Sequence, residues 1–209
     1  MSTVDEVGGL RRFLAPRAPR PAREPDRVER CDLCAAEVPP AHRHLVHVGD
    51  RSLRCACRAC ALLFDGRTDG LRTVPERYLT DPAFVLTDAQ WDALQIPVGL
   101  AFFLHSSVIG GILACYPGPA GATESELDLD AWADGVGAGR LAGLLEPDVE
   151  ALLVRREPAA CLLVPIDACY RLVGLVRRAW RGFDGGTEAW RDVDDFFADA
   201  RARAREVAP

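Results

Sequence analysis

The spacing of four cysteines constrains this chain more than any other feature. Cys31 and Cys34 in "CDLC" and Cys57 and Cys60 in "CRAC" form two C-x-x-C pairs with 22 residues between them. A tetrahedral four-thiolate site needs each pair to turn tightly so that both sulfurs meet one ion, and a spacer that returns the second pair to the first. Between the pairs, "AHRHLVHVGDRSLRCAC" holds two extended stretches around Gly49-Asp50, a pair that favours a tight turn. "CRACALLFDGR" then reads as a short helix closed by Gly66. Knuckle, hairpin and helix in that order predict a small treble-clef-like metal finger over 29–72.

Zinc is the expected ion, because four thiolates suit a closed structural site. The start of the helix should ease ionisation of Cys57 and Cys60, and Arg43, Arg51, Arg54 and Arg58 are near enough in sequence to offset the site's negative charge. Iron is the alternative, either rubredoxin-like or as an iron-sulfur cluster, since "CACRAC" supplies a fifth thiol, Cys55. Rubredoxin-type knuckles carry glycine after each pair, where this chain has Ala35 and Ala61. His42 and His44, on one side of a strand, and Cys55 are the possible alternative ligands. Cys55 and Cys57, two apart, are expected on the same side of the hairpin.

The remaining cysteines are scattered. Cys115, Cys161 and Cys169 lie in apolar runs or at a helix start and read as buried structural residues. His105 completes no nucleophilic constellation with them, and no catalytic residue is assigned. The glycine-rich "YPGPAGATESE" lacks the lysine and spacing of a phosphate-binding loop and reads as a turn before a capping box, Thr123 to Glu126.

Residues 1–28, with "APRAPRPAREPDR", read as a disordered Pro/Arg-rich arm. A linker over 73–95 contains a short helix capped by Thr87 or Asp88. Residues 96–209 predict an α+β domain of order ββαββαα, its strands in one mainly antiparallel sheet. Its first long helix follows the Thr123 capping box, and the next starts at Asp167 as N-cap and presents Leu172, Leu175, Val176 and Ala179. The last presents Trp190, Val193, Phe196, Phe197 and Ala200.

All 25 basic residues are arginine, the mark of a GC-rich bacterial genome, so their number says little about nucleic acid. Residues 1–72 carry 13 arginines against 10 acids, a net +3, within a chain of net charge −6. That balance disfavours a nucleic-acid partner and leaves a DNA-binding regulator as a further alternative only. No apolar run is long enough to cross a bilayer and the first residues lack a secretory h-region, so a cytoplasmic protein is expected.

Taken together, "CDLC", "CRACALLF", "LQIPVGLAFF", "YPGPAGATESEL", "PDVEALLV", "VPIDACYRLVGLVRRAW" and "GFDGG" resemble an actinobacterial family of unknown function. Genes of that family tend to lie beside those of a high-affinity nickel-iron hydrogenase. The resemblance spans about residues 28 to 200. It implies an accessory role in assembly, maturation or electron transfer, with a hydrogenase subunit or maturation factor as protein partner, and it implies no reaction. The expectation is a non-enzymatic zinc-binding accessory protein; the alternative is an iron-containing electron carrier.

Overall fold

The computed structural model describes residues 28–64, 70–118, 120–181 and 186–208. Nearly all of the Pro/Arg-rich arm, and Gly66 as helix cap, lie outside these. The finger's hairpin forms as predicted: β1 (Arg43–His47) pairs antiparallel with β2 (Ser52–Ala56), and β3 (Leu71–Thr73) adds to the other edge of β1. Asp50 holds the turn, accepting from the Ser52 N–H at 3.0 Å and the Ser52 hydroxyl at 2.7 Å. The left-handed residue of the turn is Arg51 (φ 57°) rather than Gly49. Helix α1 (Arg58–Phe64) comes directly after β2.

Side-chain alternation gives this small sheet two unlike faces. Leu45 and Ala56 meet Ala61 of α1 in the finger's own core. Val46 instead joins the large core of the rest of the chain, with Leu53 packed against it. The register places His44 opposite Cys55 and Val46 opposite Leu53, so the histidine and the fifth thiol share the body-facing side.

The body is built on β4 (Leu79–Thr80), β5 (Leu100–Ser106), β6 (Gly111–Gly118), β7 (Gly121–Ser125), β8 (Glu150–Arg155), β9 (Ala160–Pro165) and β10 (Arg205–Glu206). They form one sheet of order β10-β4-β9-β8-β5-β6-β7, antiparallel except where β10 meets β4. Its helices are α2 (Asp88–Ala93), α3 (Leu129–Asp134), α4 (Ile166–Ala179) and α5 (Gly186–Arg203). Leu100, Phe102 and Leu104 of β5 pack with α4 and α5 on one face, while Ala101 and Phe103 pack with Trp91, Trp132 and Leu141 on the other. Burial on both faces explains why these strands read as continuous apolar runs rather than alternating ones. Val193, Phe196, Phe197 and Ala200 of α5 are buried as its periodicity predicts, together with Ala189, while Trp190 is half-buried. α2 starts at Thr87 with Gln90 closing a capping box.

Two expectations about the body are corrected. The stretch after Thr123 does not begin a long helix: Gly121–Ser125 pairs along β6 as an edge strand, and α3 starts later at Asp128, whose carboxylate accepts from the N–H groups of Asp130 and Ala131 at 2.9 and 3.1 Å. Strand pairing supplies a whole ladder of hydrogen bonds where a capping box supplies two. The glycines at 135, 137 and 139 break the chain beyond α3 into 3-10 turns at Val136–Ala138 and Ala142–Leu144. Likewise Asp167 caps nothing. α4 begins at Ile166 with Pro165 in the cap position, two residues before the expected cap and without a side-chain cap, and the Asp167 carboxylate reaches the finger instead.

The finger is clamped to the body by several contacts. Arg72 of β3 donates to the Pro147 carbonyl and to Glu146, both at 2.6 Å. Arg51 pairs with Glu124, and the Tyr170 hydroxyl donates to the Arg51 carbonyl at 3.3 Å.

Candidate metal centre

The first knuckle is a closed backbone loop. The Cys31 N–H donates to the Ala36 carbonyl and the Ala35 N–H to the Cys31 carbonyl, each at 2.8 Å. Asp32 ties the loop to β2, because its N–H donates to the Cys55 carbonyl at 2.8 Å while its carboxylate accepts from the Cys55 N–H at 2.6 Å. Turning this tightly puts Ala35 at φ 60°, the left-handed region. The conformation for which a glycine is usual is therefore present, on an alanine.

The second pair sits where β2 gives way to α1. Cys57 lies between strand and helix, and the Cys60 N–H points at its sulfur from 3.5 Å. The thiols of Cys31, Cys34, Cys57 and Cys60 all lie within 4.8 Å of one another, with 3.7 Å between Cys34 and Cys57. Metal–sulfur bonds of about 2.3 Å give a tetrahedron edges of roughly 3.8 Å, so the donor set has the size of a four-thiolate ion. Cys31 and Cys60 are 2% and 6% exposed, whereas Cys34 stands at the surface. The site is thus buried on one side and open on the other, and it can hold a metal such as zinc or iron.

The thiols differ in acidity. Burial is the strongest single influence on Cys31 and opposes its ionisation, but backbone N–H donors of Cys57, Leu33 and Cys34 together with the Cys34 side chain outweigh it and bring the thiol down to about 6. Burial, then the neighbouring thiols, push Cys60 up to about 12. In the metal-free protein, burial and the neighbouring thiols thus act on Cys60 against the easing expected at the helix start. Two of the four arginines expected to offset the charge face acids elsewhere, Arg51 at Glu124 and Arg43 at Glu76.

The three alternative ligands form a group of their own. One donor atom from each of His42, His44 and Cys55 lies within 4.8 Å of the other two. Cys55 groups with the histidines and not with Cys57: the strand ends at Ala56 and the chain turns into α1, so alternation along a strand does not carry through to Cys57. The signal that places Cys55 with the histidines was in the sequence: a hairpin centred on Gly49-Asp50 pairs residues 44 and 55 by symmetry.

A cleft of about 1030 Å³ runs between the hairpin and the body, with His42, His44, Tyr78, Asp167, Arg171 and Arg203 on its walls. The scattered cysteines take no part: Cys115, Cys161 and Cys169 are buried, and burial raises their thiols to about 11, to about 12 and well above the ordinary value, respectively. That is the reverse of an activated nucleophile.

A family model described as a family of unknown function, DUF5947, matches residues 30–204, well over half of the chain. The chain belongs to this family. The match begins at the knuckle and ends at the last helix, so finger and body both lie inside what defines DUF5947. No curated protein and no solved structure matches the chain. Among the described residues, no helix is long and apolar enough to cross a membrane.

Proposed function

We propose that the four thiols hold a zinc ion that fixes the finger, and that the protein is a non-enzymatic accessory factor acting through contacts with a protein partner. The observation that carries the metal reading is the thiol spacing, 3.7 Å between Cys34 and Cys57 within a cluster of four. Support for a partner comes from α1, which the cluster anchors through Cys60 and which presents Leu62 and Leu63 at 71% and 58% exposure. The sequence resemblance supplies the setting: assembly, maturation or function of a nickel-iron hydrogenase, with a hydrogenase subunit or maturation factor as the partner.

One observation favours a second reading. Cys34 is exposed, and a surface ligand is the route by which a rubredoxin-like iron at the same thiols would exchange electrons. Metal content and the visible spectrum of protein produced without added metal separate the two readings. A colourless protein whose zinc is lost from Cys57→Ser supports the accessory factor. A red or brown protein carrying iron, bleached on reduction, overturns it in favour of the electron carrier.

A further inference from the structure

The His42, His44 and Cys55 group is assembled as a ligand set. His44 and Cys55 are direct cross-strand partners, and the rings of His42 and His44 lie 4.7 Å apart between centroids. Their tautomers are set by the groups they touch. His42 Nδ1 is 2.9 Å from the Pro39 carbonyl and 3.4 Å from a Glu29 carboxylate oxygen, both acceptors, so it carries the proton. His44 Nδ1 is 2.9 Å from Asp167 Oδ2 and carries the proton for the same reason. Each neutral ring then keeps its lone pair on Nε2.

His42 is the residue that ordinary packing does not explain. Its side chain is 5% exposed, and its Nε2 is buried without a hydrogen-bond partner. A buried polar nitrogen left unpaired is costly, and His42 offers one ring nitrogen to a group whose other donors are the Cys55 sulfur and a ring nitrogen of His44. A histidine that donates its other N–H to a carboxylate or carbonyl is the arrangement that orients metal-binding imidazoles, and here both histidines have it.

We propose that His42, His44 and Cys55 form a second metal site, distinct from the four thiols, that takes a zinc-class divalent ion through two Nε2 atoms and one thiolate. Two imidazoles and a thiolate select zinc and similar borderline ions over magnesium or calcium. Three protein ligands leave one tetrahedral position for water or a donor arriving from the cleft, whose wall includes both histidines. Asp167 is a positioning residue. Because it belongs to α4 while the ligands belong to the hairpin and to the residue that leads into β1, an ion here fastens the finger to the body.

The site shares no ligand with the four-thiol centre, so the two proposals fail separately. Metal-stripped full-length protein titrated with zinc against a chromophoric chelator should take two ions per chain. Cys55→Ser and His42→Phe should each take one, with tryptophan-fluorescence melting showing that the body is still folded. Asp167→Asn should weaken only the second ion, by roughly 10- to 100-fold, the loss typical when such an outer partner is removed. One ion in the wild type, lost in Cys57→Ser but kept in Cys55→Ser, overturns the second site and leaves the first standing. Two ions persisting in both Cys55→Ser and His42→Phe also overturn it, as does loss of both ions from Cys55→Ser. No zinc in the wild type overturns both proposals.

Discussion

The finger and the body solve the same problem with different means. The body covers both faces of a seven-stranded sheet with large side chains, among them Phe102 and Phe196 on one side and Trp91 and Phe103 on the other. Among its described residues the finger has two small clusters, one of Cys31, Val38 and Cys60 and one of Leu45, Ala56 and Ala61. A segment of that size cannot bury enough apolar surface to hold itself together, and in such cases a metal usually closes the fold. Two of the three residues in the first cluster are themselves thiol donors. An ion held by the four thiols would stand in for a core in the finger, whereas the body has a large core of its own, to which Val46 lends one finger residue.

The largest effect expected from breaking this asymmetry comes from Cys57→Ser. Structural zinc in isolated finger peptides contributes on the order of 10–16 kcal/mol, so the finger should lose its ordered structure, seen as loss of protection from amide exchange. All 4 tryptophans lie in the body, at 91, 132, 180 and 190, so their fluorescence melting should move far less. The converse change is Phe103→Ala. Phe103 is fully buried, with its ring centroid 4.9 Å from that of Trp132, and its removal should cost about 3–5 kcal/mol of body stability. Tryptophan melting should fall while zinc content stays the same.

A smaller effect concerns protons. Cys31 is held down to about 6, so in metal-free protein at pH 7.5 it is already a thiolate and zinc displaces no proton from it. Below pH 6 it is protonated, and in Cys55→Ser, where zinc binds at the four thiols alone, binding should release about one proton more than at pH 7.5. Its folded value lies below the ordinary thiol value, so its contribution to metal-free stability is complete above the unfolded value near 9 and is lost as pH falls through 6. Zinc titrations in two buffers of different ionisation enthalpy measure the release; a count that does not change with pH contradicts this ordering of the thiols.

The smallest effect sharpens the comparison within the finger itself. Ala35 and Ala61 each come directly after a C-x-x-C pair, yet Ala35 has φ 60° and Ala61 is buried in a helix. Ala35→Gly removes a left-handed strain of roughly 1–2 kcal/mol against a glycine entropy cost of about 0.5–1, so the finger should gain slightly. Ala61→Gly should lose about 1 kcal/mol. Chemical denaturation followed by hydrogen exchange in the finger distinguishes them, and losses of equal size in both variants would remove the argument for a strained knuckle.

How legible each feature was in the sequence depends on how local its cause is. The four thiols could be read because ligand spacing is fixed by one ion, and the hairpin because Gly49-Asp50 sits at its centre. Thr123 and Glu126 misled because a capping box is a four-residue pattern, while the β7 pairing that overrides it comes from β6. Asp167 misled in the same way: its partner, His44, is 123 residues away. The two-residue strands β4 and β10 are too short to carry any periodicity. The grouping of Cys55 with His42 and His44 rests on register and on the end of β2 at Ala56, where counting by twos stops being valid.

Amide hydrogen exchange across the whole chain, with zinc bound and after chelation, tests most directly the claim that an ion stands in for a core in the finger. Chelation is expected to strip protection from residues 29–64 and leave that of β8 and β9 essentially unchanged. Equal protection of residues 29–64 with and without zinc, or loss of β8 and β9 together with them, would contradict it.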